Sequence, residues 1–182
     1  TINYILFVSG ARPVKNLSHA LLGFSQYKTM HPESDIVLMI TGIDKETFNN
    51  LCYLPNLDKE IIKRDTILLG YVSSEELAKL YTNCRFVLYT SKNEGFGLPV
   101  LEAAVYGKTC VSSNIASIPE VIGTAVRYVC PTDDYAIAQE IEYLCDDEKL
   151  EKYEKRIADA MLILDQRMRL EQRNFIEDLL EK

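Results

Sequence analysis

The sequence predicts an α/β domain in which one parallel sheet carries helices on both of its faces. Short apolar runs that are typical of strands alternate along the chain with longer segments of helical periodicity, and this alternation favours parallel pairing. Neither an internal repeat nor a low-complexity linker interrupts the pattern. The 182 residues suit a domain that buries roughly 70% of its unfolded surface. We therefore expect one α/β domain to account for most of the chain.

The first part of the chain contains two predicted strands with a helix between them. Tyr4–Ser9 is a short apolar run, and Ile36–Ile40 is a second run that ends at Gly42. Between them, apolar residues recur every third or fourth position, which predicts an amphipathic helix that ends at Pro32. The apolar positions of this helix are Leu17, Ala20, Leu21, Phe24 and Tyr27.

The next part predicts a polar helix, a loop and a third strand. The helix starts at about Lys45, the loop surrounds Pro55, and the strand covers Thr66–Leu69. Ser73 and Glu76 have the spacing of a capping box, in which each side chain bonds the backbone amide of the other residue. They predict the start of a further helix, whose apolar residues are Leu77, Leu80 and Tyr81.

The pattern of alternating strands and helices continues through the second half. A strand at Phe86–Tyr89 precedes a helix at Pro99–Tyr106, which Gly107 ends. The remaining predicted elements are strands at Thr109–Ser112 and Val126–Val129 and a helix from about Asp134 to Cys145. These elements complete a predicted domain that comprises residues 1–146.

The last 36 residues, 147–182, predict a separate C-terminal amphipathic helical segment. Neither glycine nor proline occurs after Pro131, and apolar residues recur at intervals of three or four. The apolar positions are Leu150, Tyr153, Ile157, Met161, Leu164 and Met168.

Composition excludes several classes of function. The formal net charge of −7 argues against general nucleic-acid binding, which uses a basic surface. No signal peptide is evident, and the apolar runs are too short to cross a bilayer. The cysteines form no CxxC pair and lie mostly in apolar runs, so we interpret them as buried thiols in a reducing compartment. They are Cys52, Cys84, Cys110, Cys130 and Cys145.

The segment that contains two carboxylates carries the strongest functional signal. Seven residues separate Glu94 from Glu102, beginning with the turn Gly95-Phe96-Gly97. Pro99 then falls in the first turn of the predicted helix, where proline is tolerated. Glycines permit a ligand to approach the backbone closely, and a helix start offers unpaired amides to an anion. An anion site beside two carboxylates that can bind hydroxyl groups fits a sugar linked to a nucleotide diphosphate.

A second chemical site is predicted in the loop after the first strand. Arg12 and Lys15 lie beside a helix start at the carboxyl end of that strand, where open α/β sheets bind ligands. The two cations could neutralise a diphosphate. Simpler interpretations stay open at this point, because the carboxylates could only complement the positive end of a helix and the cations could be ordinary surface residues.

The chain resembles the C-terminal half of a retaining glycosyltransferase of the GT-B fold, in the large group-one family (family four). The spacing of Glu94 and Glu102 is the pattern of that family. The similarity continues through EGFGLPVLEAAVYGKTCVSSNIASIPEVIG to AVRYVCPTDDYAIAQEI, and upstream it includes LLGYVSSEELAKLYTNCRFVLYTS. It covers most of residues 1–146. The resemblance implies a Rossmann-like domain, one half of a GT-B enzyme, that binds the donor substrate.

The resemblance also implies roles for individual residues. Glu94 matches the carboxylate that hydrogen-bonds the hydroxyls of the donor sugar, and Glu102 matches the acid that binds the ribose hydroxyls. Phe96, Gly97 and Leu98 match positions whose backbone amides face the sugar and diphosphate, and Gly95 beside them is expected to bind the donor too. The segment whose backbone lies along the nucleobase matches Gly70, Tyr71 and Val72.

The basic loop departs from the family pattern. The family commonly places its arginine directly after the glycine, five or six residues before the lysine, whereas Arg12 is three residues before Lys15. The resemblance implies that Lys15 and Arg12 act in catalysis together with Glu94, and that Gly10 contacts the donor. Lys15 matches its family position more closely than Arg12 does.

The implied reaction transfers a sugar from a nucleotide-diphosphate sugar to a glycan, a lipid or another acceptor. An N-terminal domain outside this chain would bind the acceptor, so we expect the chain alone to bind donor without transferring sugar. The resembled family needs no obligatory metal or other cofactor. We expect a cytoplasmic enzyme, placed at the inner face of the membrane if its other half makes peripheral contact there. The alternatives are a stand-alone nucleotide-sugar-binding module and a domain like that of a nucleotide-sugar 2-epimerase.

Overall fold

A six-stranded parallel sheet forms the centre of the molecule. A computed structural model of the chain describes residues 2–8, 12–93, 95–115 and 117–180, with side chains described as far as residue 172. The strands are β1 Tyr4–Val8, β2 Val37–Thr41, β3 Thr66–Gly70, β4 Phe86–Tyr89, β5 Cys110–Ser113 and β6 Arg127–Val129. They pair in parallel in the order β3-β2-β1-β4-β5-β6. The predicted α/β class with its Rossmann-like parallel sheet is confirmed.

Helices cover both faces of this sheet. Within the described part of the chain they are α1 Leu17–Met30, α2 Lys45–Leu51, α3 Lys59–Asp65, α4 Ser74–Asn83, α5 Leu98–Val105, α6 Ile118–Ile122, α7 Asp134–Cys145 and α8 Asp147–Leu180. Helices α1, α2, α3 and α7 contribute to the hydrophobic cluster on one face. Helices α4, α5 and α6 contribute to the cluster on the other face.

The central strands β1 and β4 are apolar because both of their faces are buried. In β1, Ile5 and Phe7 belong to the cluster beneath α1, while Tyr4 and Leu6 belong to the cluster beneath α4 and α5. All four side chains are at most 5% exposed. Such continuous apolar runs are typical of parallel strands that lie between two layers of helices.

Local sequence signals predict most of these elements correctly. The predicted apolar residues of α1 are all buried. The capping box of α4 is present, with the Glu76 amide donating to Ser73 Oγ at 3.2 Å and the Ser73 amide donating to Glu76 Oε2 at 2.7 Å. Helix α3 lies in the region predicted as a loop. Five of its seven residues are charged, and it is held by the Asp58 N-cap and the single fully buried side chain of Ile62.

Helix α8 begins within the hydrophobic core and continues beyond it. Tyr153 joins the cluster beneath α1, and Ile157, one turn later, joins the cluster on the opposite face. Further along the helix, large apolar side chains such as Leu162 and Met168 are more than half exposed. The predicted division between residues 1–146 and 147–182 stays a prediction.

Candidate functional site

The candidate site lies where the strand order reverses. Strands β1 and β4 are neighbours, with Leu6 paired to Val87, but the chain leaves them toward opposite faces. The loop after β1 enters α1, and the loop after β4 enters α5. This divergence opens a crevice at the carboxyl edge of the sheet, which is where α/β folds of this kind bind ligands. The basic loop and the carboxylate loop therefore flank the same crevice.

A buried asparagine joins the two loops. Asn16 is 2% exposed and has the left-handed backbone conformation, with φ of 59°. Its Nδ2 donates to the carbonyls of Thr90 at 2.9 Å and Pro131 at 2.6 Å. Thr90 Oγ1 in turn donates to the Asn16 carbonyl at 3.2 Å. We call these three residues the Asn16 junction, and it fixes the loops after β1, β4 and β6 relative to one another.

A second set of hydrogen bonds reinforces this arrangement at Val14. The Val14 carbonyl accepts a hydrogen bond from Ser91 Oγ at 3.0 Å and another from the Lys92 amide at 2.9 Å. Backbone and side-chain donors of the carboxylate loop therefore hold the basic loop from the β4 side. The position of one loop cannot change without breaking bonds to the other.

The two predicted cations lie at opposite ends of one short turn. A 3-10 turn covers Pro13–Lys15, and its closing bond runs from the Lys15 amide to the Arg12 carbonyl at 3.0 Å. Arg12 is exposed, whereas Lys15 is partly buried, with its ammonium 5.3 Å from the centre of the Tyr89 ring. Lys15 is thus held at the end of β4, beside the carboxylate loop. Gly10 lies outside the described residues.

The glycine turn of the carboxylate loop is closely packed. Gly97 is buried with φ of +74°, and a Cβ atom at this position would lie 2.5 Å from Ile118 Cγ1. Both the backbone conformation and the lack of space require glycine. Ser117 Oγ is within hydrogen-bonding distance of the carbonyls of Gly95, at 3.3 Å, and Phe96, at 3.4 Å, which braces the turn from the loop after β5.

Helix α5 begins directly after this turn, as predicted. Leu98 and Pro99 are its first two residues, and Gly97 is its N-cap. The side chains of Phe96 and Leu98 are 50% and 59% exposed. Pro99 has no amide hydrogen, and the amide after it donates to the Gly97 carbonyl at 2.9 Å. The Leu98 amide is therefore the first-turn donor that this helix start can offer to an anion in the crevice. Glu94 lies outside the described residues, so its place in this loop stays a prediction.

Glu102 is held by a tyrosine from a neighbouring helix. The hydroxyl of Tyr81, in α4, donates to Glu102 Oε2 at 2.7 Å. The ring of Tyr81 is 1% exposed and stacks on that of Tyr106, with the ring centres 5.6 Å apart and 5° between the planes. Burial, and then the bond to Glu102, raise the pKa of the Tyr81 phenol, which therefore remains a neutral donor.

The segment predicted to lie along the nucleobase is at the same edge of the sheet. Gly70 ends β3 with φ of +65°, and its carbonyl accepts a hydrogen bond from the Gly42 amide at 2.6 Å. Tyr71 is 78% exposed, and Val72 is partly buried. The segment lies two strands away from β1, on the side of the crevice opposite β5 and β6.

A protein-family model described as "Glycosyl transferases group 1" matches residues 1–161 of the chain. The chain belongs to this glycosyl transferase family. The predicted group-one family is therefore confirmed, while membership of family four and the C-terminal place of the chain in the enzyme stay predictions.

Curated relatives of this family member include two bacterial enzymes. The chain is 45% identical over 143 residues to O-antigen chain mannosyltransferase B of Escherichia coli, a match that covers 76% of the chain and 35% of that enzyme. It is 29% identical over 151 residues to N-acetyl-alpha-D-glucosaminyl L-malate synthase of Bacillus anthracis, covering 81% of the chain and 37% of the relative. The chain thus spans just over a third of the length of these two relatives.

Solved structures support the fold. An α,α-trehalose-phosphate synthase (UDP-forming) from Burkholderia xenovorans, in complex with glucose-6-phosphate, superposes with a TM-score of 0.77 at 16% identity, covering 98% of the chain and 44% of that protein. An E. coli trehalose-6-phosphate structure bound with UDP-2-fluoro glucose gives a TM-score of 0.78 at 16% identity, with coverage of 98% and 44%. These neighbours have the GT-B fold, and at this identity the likeness concerns the fold alone.

The candidate site of this family member includes residues that the sequence alone did not indicate. Asn16, Ser117 and the hydroxyl of Tyr81 each contact a predicted site residue or its loop. The tolerance of asparagine for the left-handed conformation could have drawn attention to Asn16. The helical pattern identified Tyr81 as a core residue, and no local signal reveals the partner of its hydroxyl.

No metal centre or membrane-spanning helix is found in the described part of the chain. The described residues contain no group of three or more His, Cys, Asp or Glu side chains placed to hold a metal ion. None of the helices described here has the length and hydropathy that crossing a bilayer requires. That the enzyme needs no metal or other cofactor stays a prediction.

Proposed function

We propose that the chain is the donor-binding domain in the C-terminal half of a retaining glycosyltransferase of family four. The enzyme transfers a sugar from a nucleotide-diphosphate sugar to a glycan, a lipid or another acceptor. One observation carries this proposal: the Asn16 junction holds a loop with two cations against the loop that leads into α5, at the point where the strand order reverses. Such a crevice has the chemistry to bind a diphosphate between two walls.

The diphosphate is bound from both loops. Lys15 contributes a charge from the β1 side, and Arg12 extends that side into solvent. The Leu98 amide at the start of α5 contributes from the β4 side. The negative charge on the diphosphate grows as the bond to the sugar breaks, so fixed cations and amides stabilise the transition state more than the ground state.

The two carboxylates bind the hydroxyl-bearing parts of the donor. Glu94 accepts hydrogen bonds from the hydroxyls of the transferred sugar, and Glu102 accepts them from the ribose. The backbone at Gly70, Tyr71 and Val72 lies along the base. The acceptor is activated by the leaving phosphate and by groups of an N-terminal domain, so this half of the enzyme supplies no dedicated general base.

The relatives suggest the sugar and the acceptor. The names of several of them are those of mannosyltransferases, including O-antigen chain enzymes of E. coli and of Salmonella typhimurium. We therefore propose mannose as the transferred sugar and a growing polysaccharide chain as the acceptor, in the cytoplasm at the inner face of the membrane.

The test is a calorimetric titration of the chain with mannose and glucose linked to UDP, GDP, ADP and dTDP. We expect at least one nucleotide sugar to bind, and the mannose form to bind more tightly than the glucose form on the same nucleotide. A folded chain that bound none of these ligands would rule out the donor-binding role. Binding of the glucose form alone would retain the role and reject the proposed sugar.

A further inference from the structure

Tyr81 is placed to act on the nucleotide through Glu102. We propose that Tyr81 is a positioning residue, whose hydroxyl holds the Glu102 carboxylate in the orientation that binds the ribose hydroxyls. This inference rests on the proposed function, which places the ribose at Glu102. The sequence alone predicts only that Tyr81 is an apolar residue of the helix that became α4.

The contacts of Tyr81 fix the direction of its hydroxyl. Its ring is buried and is stacked almost parallel on Tyr106, the C-cap residue of α5, which lies one turn beyond Glu102. The stacked ring cannot swing away without losing that contact and its burial. The hydroxyl therefore stays 2.7 Å from Glu102 Oε2.

This contact leaves half of the carboxylate available to a ligand. Glu102 is only partly buried, and among the described residues Oε1 has no hydrogen-bond partner. A glutamate side chain that is free to rotate must be ordered when a ligand binds, which reduces affinity. Because Tyr81 orders the carboxylate beforehand, the ribose hydroxyls meet an acceptor that is already oriented.

A second tyrosine shows what a purely structural hydroxyl looks like in this fold. Tyr4 is 5% exposed, and its hydroxyl donates at 2.8 Å to the carbonyl of Leu80, in the same helix α4. The partner of the Tyr4 hydroxyl is a backbone carbonyl. The partner of Tyr81 is instead an ionisable side chain that reaches the surface near the crevice. Tyr4→Phe is therefore a matched control for Tyr81→Phe, since each variant removes one buried phenol hydrogen bond and keeps the ring.

The experiment compares two ligands that differ only in the ribose. Wild type, Tyr81→Phe and Tyr4→Phe are titrated with UDP or GDP, whichever wild type binds more tightly, and with its 2′,3′-dideoxy form. We expect Tyr81→Phe to weaken binding of the ribose form by about threefold to tenfold, the range for one hydrogen bond. Binding of the dideoxy form should be unchanged, and Tyr4→Phe should leave both affinities unchanged. Thermal unfolding of the three proteins checks that each is folded.

A double-mutant cycle with Glu102→Gln gives a second measurement. If Tyr81 acts through Glu102, the loss of ribose affinity caused by Tyr81→Phe should largely disappear in the Glu102→Gln background. Equal losses for the ribose and dideoxy forms would overturn the positioning role and leave the proposed function intact, as would additive effects in the cycle. A folded wild-type chain that binds neither nucleotide would overturn the proposed function together with this inference.

Discussion

Lys15 and Arg12 lie in the same turn but differ in their burial and contacts. The ammonium of Lys15 lies over the Tyr89 ring, whereas the guanidinium of Arg12 belongs to an exposed residue at the start of the turn. A partly buried cation is screened less by salt than an exposed one. At the scale of single residues, we therefore expect Lys15 to contribute more to diphosphate binding than Arg12.

Lys15→Ala should weaken binding of a nucleoside diphosphate about tenfold or more, the effect of removing one charge-assisted hydrogen bond. Binding of the bare nucleoside should not change, because it carries no phosphate. The affinity of wild type should fall as salt rises, and that of Lys15→Ala should fall less steeply. Calorimetric titrations at three salt concentrations measure both effects.

The control for this prediction is Lys152→Ala, which removes an exposed lysine of α8. It should change neither the affinity nor its salt dependence. Arg12→Ala should have a smaller effect than Lys15→Ala, and no effect would mean that the displaced arginine has lost the role found in the family. If Lys15→Ala weakened nucleoside and diphosphate equally, the diphosphate would have to bind to the helix amides alone.

The two carboxylates should affect different parts of the donor. Glu102→Ala should weaken binding of the nucleotide diphosphate and of the nucleotide sugar equally, by roughly 1.5–3 kcal/mol, because both ligands carry the ribose. Glu94→Ala should weaken binding of the nucleotide sugar alone. The exposed Glu75 in the first turn of α4 offers a control, Glu75→Ala, that should leave both affinities unchanged. Unchanged diphosphate affinity in a folded Glu102→Ala variant would contradict the ribose assignment.

At the scale of elements, α1 and α3 are joined by a buried ion pair. Lys28 of α1 lies 3.1 Å from Asp65 of α3, and their side chains are 2% and 11% exposed. Lys28 also donates to the carbonyls of Ser34 and Ile36. The bond from Arg64, and secondly the bond from Lys28, lower the pKa of the Asp65 carboxyl below its ordinary value of 3.8.

This lowered pKa predicts how stability depends on pH. A carboxyl with a lower pKa in the folded state stabilises the fold fully above its unfolded pKa, and this contribution is lost as pH falls through the folded value. Asp65→Asn should therefore lower the free energy of unfolding by about 3 kcal/mol at pH 7. This difference in unfolding free energy between variant and wild type should shrink below about pH 4. Urea unfolding of both proteins at pH 7, 5, 4 and 3 measures this difference. The exposed Asp159 provides a comparison, since Asp159→Asn should show no such trend. A difference in unfolding free energy that stayed constant from pH 7 to pH 3 would contradict the lowered pKa of the Asp65 carboxyl.

The elements differ in how far local sequence determines them. Strands β1, β2 and β4 and helix α1 could be predicted because each has a clear apolar pattern, and α4 because its capping box is local. Helix α3 could not be predicted in this way, because it has only seven residues and one fully buried side chain. The Asn16 junction is beyond local reasoning altogether, since the partners of Asn16 are 74 and 115 residues away along the chain.

For the site as a whole, the sequence was enough to identify the two loops but not the contacts between them. Parallel topology places the loops after β1 and β4 at one edge, which follows from the order of the elements. The bonds at Val14, the brace from Ser117 and the partner of Glu102 depend on tertiary packing. No motif in the sequence indicates these contacts.

At the scale of the whole molecule, the start of α8 belongs to the core. A chain that ends at residue 164 keeps Tyr153 and Ile157, which are 5% and 0% exposed. We expect its unfolding free energy and donor affinity to match those of the full chain. A chain that ends at residue 146 loses both side chains and should be less stable by roughly 3–6 kcal/mol. Chemical unfolding of the three chains tests this, and equal stability of the shortest chain would show that α8 contributes nothing to the fold.

The Asn16 junction links ligand occupancy to folding. Its carbonyl partners come from the loops after β4 and β6, so the crevice exists only when distant parts of the sheet have assembled around Asn16. On the proposed function, the donor binds the complete fold and has no site on a partly unfolded chain. A nucleotide sugar at a hundred times its Kd would then stabilise the native state by about 2.7 kcal/mol. The substrate would thereby protect the enzyme from unfolding and proteolysis. In a cell depleted of donor, the enzyme would unfold and be degraded more readily.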